Sequence, residues 1–350
     1  MSVRRDSPFE VLGDPPQAVR ATEELPSAAV AQMLSAPSTP ALLELLGITG
    51  DDHSELSALI GPALADPEIL AEITRAANLL RVSAGLEAPA AALDTVKEQH
   101  NALQRRLAPG EGLLSILALV VSTSTVRAWH RERGLSTEQS WEVLADLGQQ
   151  MRVHRRSSGR LGLHQLAWMA LNWRGRLVHL GRLQFDLHRT EKGTENERWV
   201  IGAHIPATGP LDPTAVEESF SQATAYFSTH YADLDTARPP GAVPFGHEFL
   251  CDSWLVNPVL TEELGADSNL GAFARRWELL SSERSDEGAA FFVFGQRPPY
   301  DAAGLPRRTR LERLVAERLE DGRGWESGHG RLVRQRPAGA QGQKTPSASS

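Results

Sequence analysis

The sequence predicts a two-domain α+β chain: an all-helical N-terminal domain, then a mixed sheet flanked by helices. Three observations predict it. Apolar residues recur at helical spacing from Gln17 to about Gln150. The period then drops to two, at Leu183, Phe185 and Leu187 and again at Trp199, Ile201 and Ala203. Between these textures lies an acid-free run, Leu147 to Phe185, with seven Arg in a chain of formal net charge -8. At 350 residues the chain has room for two domains. Its 41% hydrophobic and 23% charged content suits a folded globular protein. The expected division is an irregular arm over 1–16, a helical domain over 17–151, a sheet-bearing domain over 152–335 and a disordered tail over 336–350.

The helical elements follow from local chemistry. Leu42, Leu43, Leu45 and Leu46 form a short helix behind Pro40. Leu56, Leu59 and Ile60 open a second, with Asp52 or Ser54 as its cap; Pro67 interrupts it, and Ile69 to Leu80 resume the stripe. Helices are also expected over Ala91–Leu107 and Gly110–Gly134. Ser136 and Gln139 have capping-box spacing ahead of Trp141, Val143, Leu144 and Leu147. A further helix is expected over Leu163–Val178, ended by Gly181. In the second half, strands are expected at 183–187, 199–203 and Phe249–Val256. Asp212-Pro213 starts a helix to about Phe227, and Asn257-Pro258 starts another to Leu264. Asn269–Arg276 is a short helix, Trp277–Leu280 and Ala289–Phe294 are strands, and the final helix spans Arg308–Leu319.

Composition excludes some classes. One cysteine, Cys251, allows no internal disulfide, which fits a reducing compartment. The N-terminus lacks a secretory core, and the most apolar run, Leu113–Val121, is too short to span a bilayer. The expected location is cytoplasmic. No Cys/His cluster has metal-ligand spacing. Of 36 Lys plus Arg only Lys97, Lys192 and Lys344 are lysine, so Arg is the default cation here. The Arg run reads either as a solvated face or as an anion site for phosphate or carboxylate.

The segments VHRRSSGRLGL (153–163), LGRLQF (180–185), WVIGAHIP with the following TGPL (199–211), CDSWLVNP (251–258), DSNL and LPRRT resemble a bacterial acyltransferase family. In that family a helical N-terminal domain precedes a GNAT-like C-terminal domain. The resemblance covers about residues 20–335. It implies acyl-CoA, with acetyl-CoA as the expected donor, and a small amine acceptor. It implies a cleft where Trp199–Ile205 and Phe249–Val256 splay apart. It also places the CoA pyrophosphate at the helix start after Thr208, Gly209, Pro210 and Leu211. A helix N-terminus presents unpaired N–H groups to phosphate. The loop departs from the GNAT pattern, having one Gly and two prolines that donate no N–H. Arg155 and Arg156 are the expected source of the missing positive charge, so replacing both is expected to weaken acyl-CoA binding.

His204, ending one strand, suits a general base; a strand-end structural histidine is the alternative. Asn257 suits either a pantetheine contact or a plain cap before Pro258. No Tyr matches the GNAT proton donor, and Ser253 or water is the substitute. Cys251 reads as a small buried hydrophobe, with a nucleophile paired to His204 as the alternative. Two other functions stay open: a GNAT-like binding protein without catalysis, and a DNA-binding regulator using Ser124–Arg131 as a recognition helix.

Overall fold

The computed structural model describes residues 23–88, 90–190, 197–237 and 242–334. The expected arm at 1–16 and tail at 336–350 lie outside the described residues. The chain divides into two compact units, Met1–His179 and Leu180–Ser350.

In the first unit the helices are α1 (Ser27–Leu34), α2 (Thr39–Leu45), α3 (Gly50–Ala65), α4 (Pro67–Val82), α5 (Lys97–Gln104), α6 (Leu113–Glu132), α7 (Thr137–Leu144), α8 (Asp146–Ser158) and α9 (Leu166–Trp173). Pro67 begins α4 rather than merely interrupting a stripe: Asp66 caps it, accepting from the Glu68 and Ile69 N–H groups. The Ser136/Gln139 capping box is present. The cap of α3 is Thr49, not Asp52 or Ser54. Asp52 instead lies in the first turn of α3 and is buried. Helix α6 runs 20 residues, long and apolar enough by length and composition to cross a membrane. Its apolar stripe, Leu113 to Val121, belongs to one core cluster that reaches from Val30 to Trp173.

That cluster explains why the units part at His179/Leu180 and not at 151/152. Met151, Leu163, Leu166, Met169 and Trp173 all pack into it. The Trp173 indole N–H donates to Leu119 O at 2.8 Å, and Asn172 Nδ2 donates to Val143 O at 3.1 Å. The expected helix to Val178 stops at Trp173. Gly175 turns the chain at φ +68°, where an added Cβ would lie 2.1 Å from Trp129 Cδ1.

The second unit carries the sheet. Its strands are β1 (Leu177–Leu180, within which the chain passes between units), β2 (Leu183–Thr190), β3 (Arg198–His204), β4 (Glu248–Ser253), β5 (Glu278–Arg284) and β6 (Glu326–Val333), in the order β1-β2-β3-β4-β6-β5. The helices are α10 (Pro213–His230), α11 (Pro258–Leu264), α12 (Asn269–Ala274), α13 (Asp286–Phe294) and α14 (Arg310–Glu320). Alternation fixes the two sheet faces. Phe185, Leu187, Ile201, Ala203, Phe249 and Cys251 share one, buried against α10, whose Phe220 ring sits 5.7 Å from Phe185 and 5.1 Å from Phe249. Asp186, His188, Gly202, His204, Leu250 and Asp252 share the other.

One expectation fails here and one strand was missed. Ala289–Phe294 is helical, not a strand; its run of Ala and Phe fits either period, and Ala289 and Ala290 are the turn of α13 that is buried. Strand β6 had no counterpart among the expected elements, and Gly328 and Gly330 interrupt its pattern. Those glycines mark close approach instead: a Cβ at Gly328 would stand 2.0 Å from Val256 O, and one at Gly330 would stand 2.9 Å from Trp277 Cβ.

Candidate active site

Strands β3 and β4 are parallel and pair at only two positions, Ile201↔Phe249 and Gly202↔Leu250. Their outer neighbours are held along their lengths: β2 pairs β3 from Gln184↔His204 to Thr190↔Arg198, and β4 pairs β6 from Glu248↔Val333 to Ser253↔Gly328. The ladder between β3 and β4 therefore stops while both strands continue. Beyond it, Ala203 and His204 have no ladder partners in Cys251, Asp252 and Ser253. Unpaired backbone at the ends of two parallel strands is a place where an extended chain can hydrogen-bond.

His204 stands at this opening. Its Nε2 lies 2.7 Å from Asp186 Oδ1, and His188 Nδ1 lies 3.0 Å from Asp186 Oδ2. The register delivers Asp186 directly opposite Gly202. Only glycine allows this, since a Cβ at 202 would stand 2.1 Å from Asp186 Oδ1. Burial alone would raise the Asp186 carboxyl. The hydrogen bonds and charges of His188 and His204 outweigh it and hold the carboxyl below the usual carboxylate range. Asp186 is thus ionised at neutral pH. Its contribution to stability is present there and is lost as pH falls through its lowered folded value. A carboxylate on Nε2 fixes the neutral tautomer with its proton there and the lone pair on Nδ1. The His204 side chain is 37% exposed.

After β3 the chain runs through Pro206–Leu211 to α10. Asp212 turns its carboxylate back into the helix start, accepting from the Thr214 and Ala215 N–H groups at 3.0 Å. Its charge is therefore spent on its own cap. Arg182, in the β1–β2 turn, grips the loop: Nε donates to Pro210 O at 2.9 Å, Nη1 to Pro206 O at 3.1 Å and Nη2 to Gly209 O at 2.9 Å. A trans peptide points its N–H opposite to its C=O. Drawing in the Pro206 and Pro210 carbonyls thus turns the Ala207 and Leu211 N–H groups away from the guanidinium. Thr208 and Gly209 are exposed, and Leu211 buries its side chain.

Other expected residues are placed differently. Arg155 is engaged within the helical unit, its Nε 2.7 Å from buried Asp52 and its Nη1 3.0 Å from Glu55. These two contacts make it a tie between α8 and α3; Arg156 is exposed on the same helix. Half-buried pairs fall between the surface and buried cases, so Arg155→Ala is expected to cost roughly 2 kcal/mol of stability while acyl-CoA affinity stays unchanged. Urea unfolding and calorimetry check the two parts. Asn257 is the cap: its Oδ1 accepts from Val259 N–H and its Nδ2 donates to Glu326 O, so both ends of the amide serve the fold. Ser253 Oγ accepts from Leu255 N–H at the turn leaving β4. Cys251 is 1% exposed on the sheet face opposite His204, and burial pushes its thiol up, which removes it as a nucleophile. In Ser124–Arg131, the last turns of α6, Val126, Arg127, Ala128 and His130 are buried, so that segment does not present a free recognition face to a DNA groove. Asp186, His188 and Arg182 were not singled out from the sequence. The signal for Asp186 was its position as the first acidic residue after the acid-free run, on the polar side of a strand.

Where two parallel strands part beside a helix start, a thioester can lie between them, and this construction is that of a GNAT-like acyltransferase. The chain belongs to the N-acyltransferases built in two parts: residues 37–175 match the N-acyltransferase N-terminal domain, and residues 177–332 match the GNAT-like C-terminal domain. Solved structures agree. An acyltransferase in complex with decanoyl-CoA is 28% identical with a TM-score of 0.69, covering 93% of each chain. One in complex with decanoyl-CoA and teicoplanin is 29% identical, TM-score 0.68, over 93% of this chain and 92% of that one. An acyltransferase mutant in complex with octanoyl-CoA is 28% identical, TM-score 0.68, over 93% of both. No curated protein matches the chain.

Proposed function

We propose that this enzyme transfers a medium-chain acyl group from acyl-CoA to an amino group on a glycopeptide acceptor. The decanoyl-CoA, octanoyl-CoA and teicoplanin held by its structural relatives support this donor and acceptor in place of acetyl-CoA and an unspecified small amine. The observation that carries the reading is the Asp186–His204 pair at the point where β3 leaves β4. The thioester carbonyl lies between the parted strands. His204 Nδ1 takes one proton from the acceptor ammonium and passes it to water. The amine lone pair attacks the carbonyl carbon and forms the C–N bond. The C–S bond then breaks, and the remaining excess proton of the nitrogen ends on the leaving thiolate. Asp186 stabilises the imidazolium formed on the way.

The test is incubation of the enzyme with decanoyl-CoA and teicoplanin, followed by mass spectrometry. The expected product carries one added decanoyl group in amide linkage, with one CoA thiol released per acyl group. An unmodified acceptor beside intact thioester would refute the reading.

In this reading the backbone over Ala207–Leu211 and the start of α10 receive the CoA pyrophosphate, with Thr208, Gly209 and Leu211 in the loop. Arg182 holds that backbone in shape. Arg182→Ala is expected to raise the Kd for decanoyl-CoA about ten-fold or more, with Arg182→Lys recovering little, because one ammonium cannot reach three carbonyls. Isothermal titration measures it.

A further inference from the structure

The last paired residues of β3 and β4 are Gly202 and Leu250. Two residues further along each strand, on the same sheet face, stand His204 and Asp252. These side chains flank the opening from opposite strands. The Asp252 side chain is 75% exposed, and its Oδ1 lies 2.5 Å from His329 Nδ1, its hydrogen-bond partner among the described residues. Register sets this pair too, since β4 and β6 place Asp252 opposite His329.

The other carboxylates of β2 and β4 on that face are buried, and each has two side-chain partners. Asp186 sits between two imidazoles. Glu248 is buried between Arg198 at 2.6 Å and Arg331 at 2.7 Å. Arg331, two residues after His329 on the same face and nearer Glu248, is also drawn to Glu278. Asp252 therefore has no arginine partner among the described residues. It presents an accessible carboxylate at the mouth, with one oxygen anchored by His329.

We infer that Asp252, oriented by His329, is the site that receives the acceptor as its ammonium ion and holds it facing His204. This rests on the reading of His204 as the base. An aliphatic amine is mostly protonated at neutral pH, so the species arriving is a cation with three N–H donors. Asp252 accepts one of them in a charge-assisted hydrogen bond. A second points across the opening to His204, which removes that proton. The third stays on the nitrogen as its lone pair turns toward the thioester. A neutral hydroxyl acceptor can hydrogen-bond the carboxylate but gains no charge–charge attraction, so the site favours N- over O-acylation.

The test is steady-state kinetics of Asp252→Asn with decanoyl-CoA and teicoplanin, run beside His204→Gln. Asp252 is exposed and Asn is isosteric, and the melting temperature checks that the variant is folded. The KM for teicoplanin is expected to rise about ten-fold or more, with kcat much less affected and the Kd for decanoyl-CoA unchanged. Asp252→Glu should recover part of the affinity. A wild-type teicoplanin KM in Asp252→Asn overturns the inference, and so does an equal loss of affinity for decanoyl-CoA. If His204→Gln has collapsed while Asp252→Asn is silent, only the ammonium site falls. If His204→Gln also keeps its rate, the base assignment falls with it.

Discussion

His204→Gln is expected to lower kcat by about 10²–10⁴-fold, the usual share of a positioned general base, and to leave the Kd for decanoyl-CoA unchanged. Glutamine keeps a hydrogen-bonding partner for Asp186 but cannot carry a proton away from the acceptor. Thiol-release assays with teicoplanin saturating read the first effect, and isothermal titration with decanoyl-CoA reads the second. Asp186→Asn is the companion. It removes the charge that favours the imidazolium and frees the tautomer, so kcat should fall by a smaller factor with binding again intact. A variant of His204 that kept its rate would mean that another group accepts the proton.

Gly148→Ala is expected to cost about 3 kcal/mol or more of stability in the helical unit. Gly148 lies in the first turn of α8, and its N–H donates to Leu46 O at 3.0 Å, locking α8 onto the turn after α2. A Cβ there would stand 1.9 Å from Gly47 O and 2.0 Å from Gly47 C. Both are backbone atoms, so no rotamer change relieves the clash. Gly47 is itself closely packed, since a Cβ on it would stand 2.5 Å from Ala145 O. Chemical denaturation of the purified variant measures the loss. Gly61→Ala is the control, since nothing lies within 4 Å of the added methyl; its helix should be as stable or more so.

The contrast between these two sites shows what the chain discloses before it folds. The helical unit was legible because its signals are local: the 3.6-residue stripe of α4, the capping box of α7, and the Asp66-Pro67 and Asp212-Pro213 starts. The divergence of β3 from β4 was legible only through resemblance, since two paired positions out of a whole strand leave no mark on composition. His204 could be picked out as a strand-end histidine. Asp186, eighteen residues from His204, could not be joined to it without the register that sets Asp186 against Gly202. Arg155 failed for the opposite reason. Its place in an Arg-rich run suggested an anion from solution, whereas its partners Asp52 and Glu55 lie about a hundred residues earlier in the chain. Strand β6 was hidden by glycines whose purpose is a neighbour's backbone, and Asp252 gains its partner His329 only when that strand is in place.

The most direct test of the account is a crystal structure of the enzyme with decanoyl-CoA. The account predicts pyrophosphate oxygens against the backbone of Ala207–Leu211, and the thioester carbonyl between the parted ends of β3 and β4, on the side of His204. Decanoyl-CoA bound elsewhere, such as the ≈ 280 Å³ cavity lined by Val256, Thr261, Trp277 and Leu279, with Ala203 and Cys251 drawn together into a closed ladder, would contradict it.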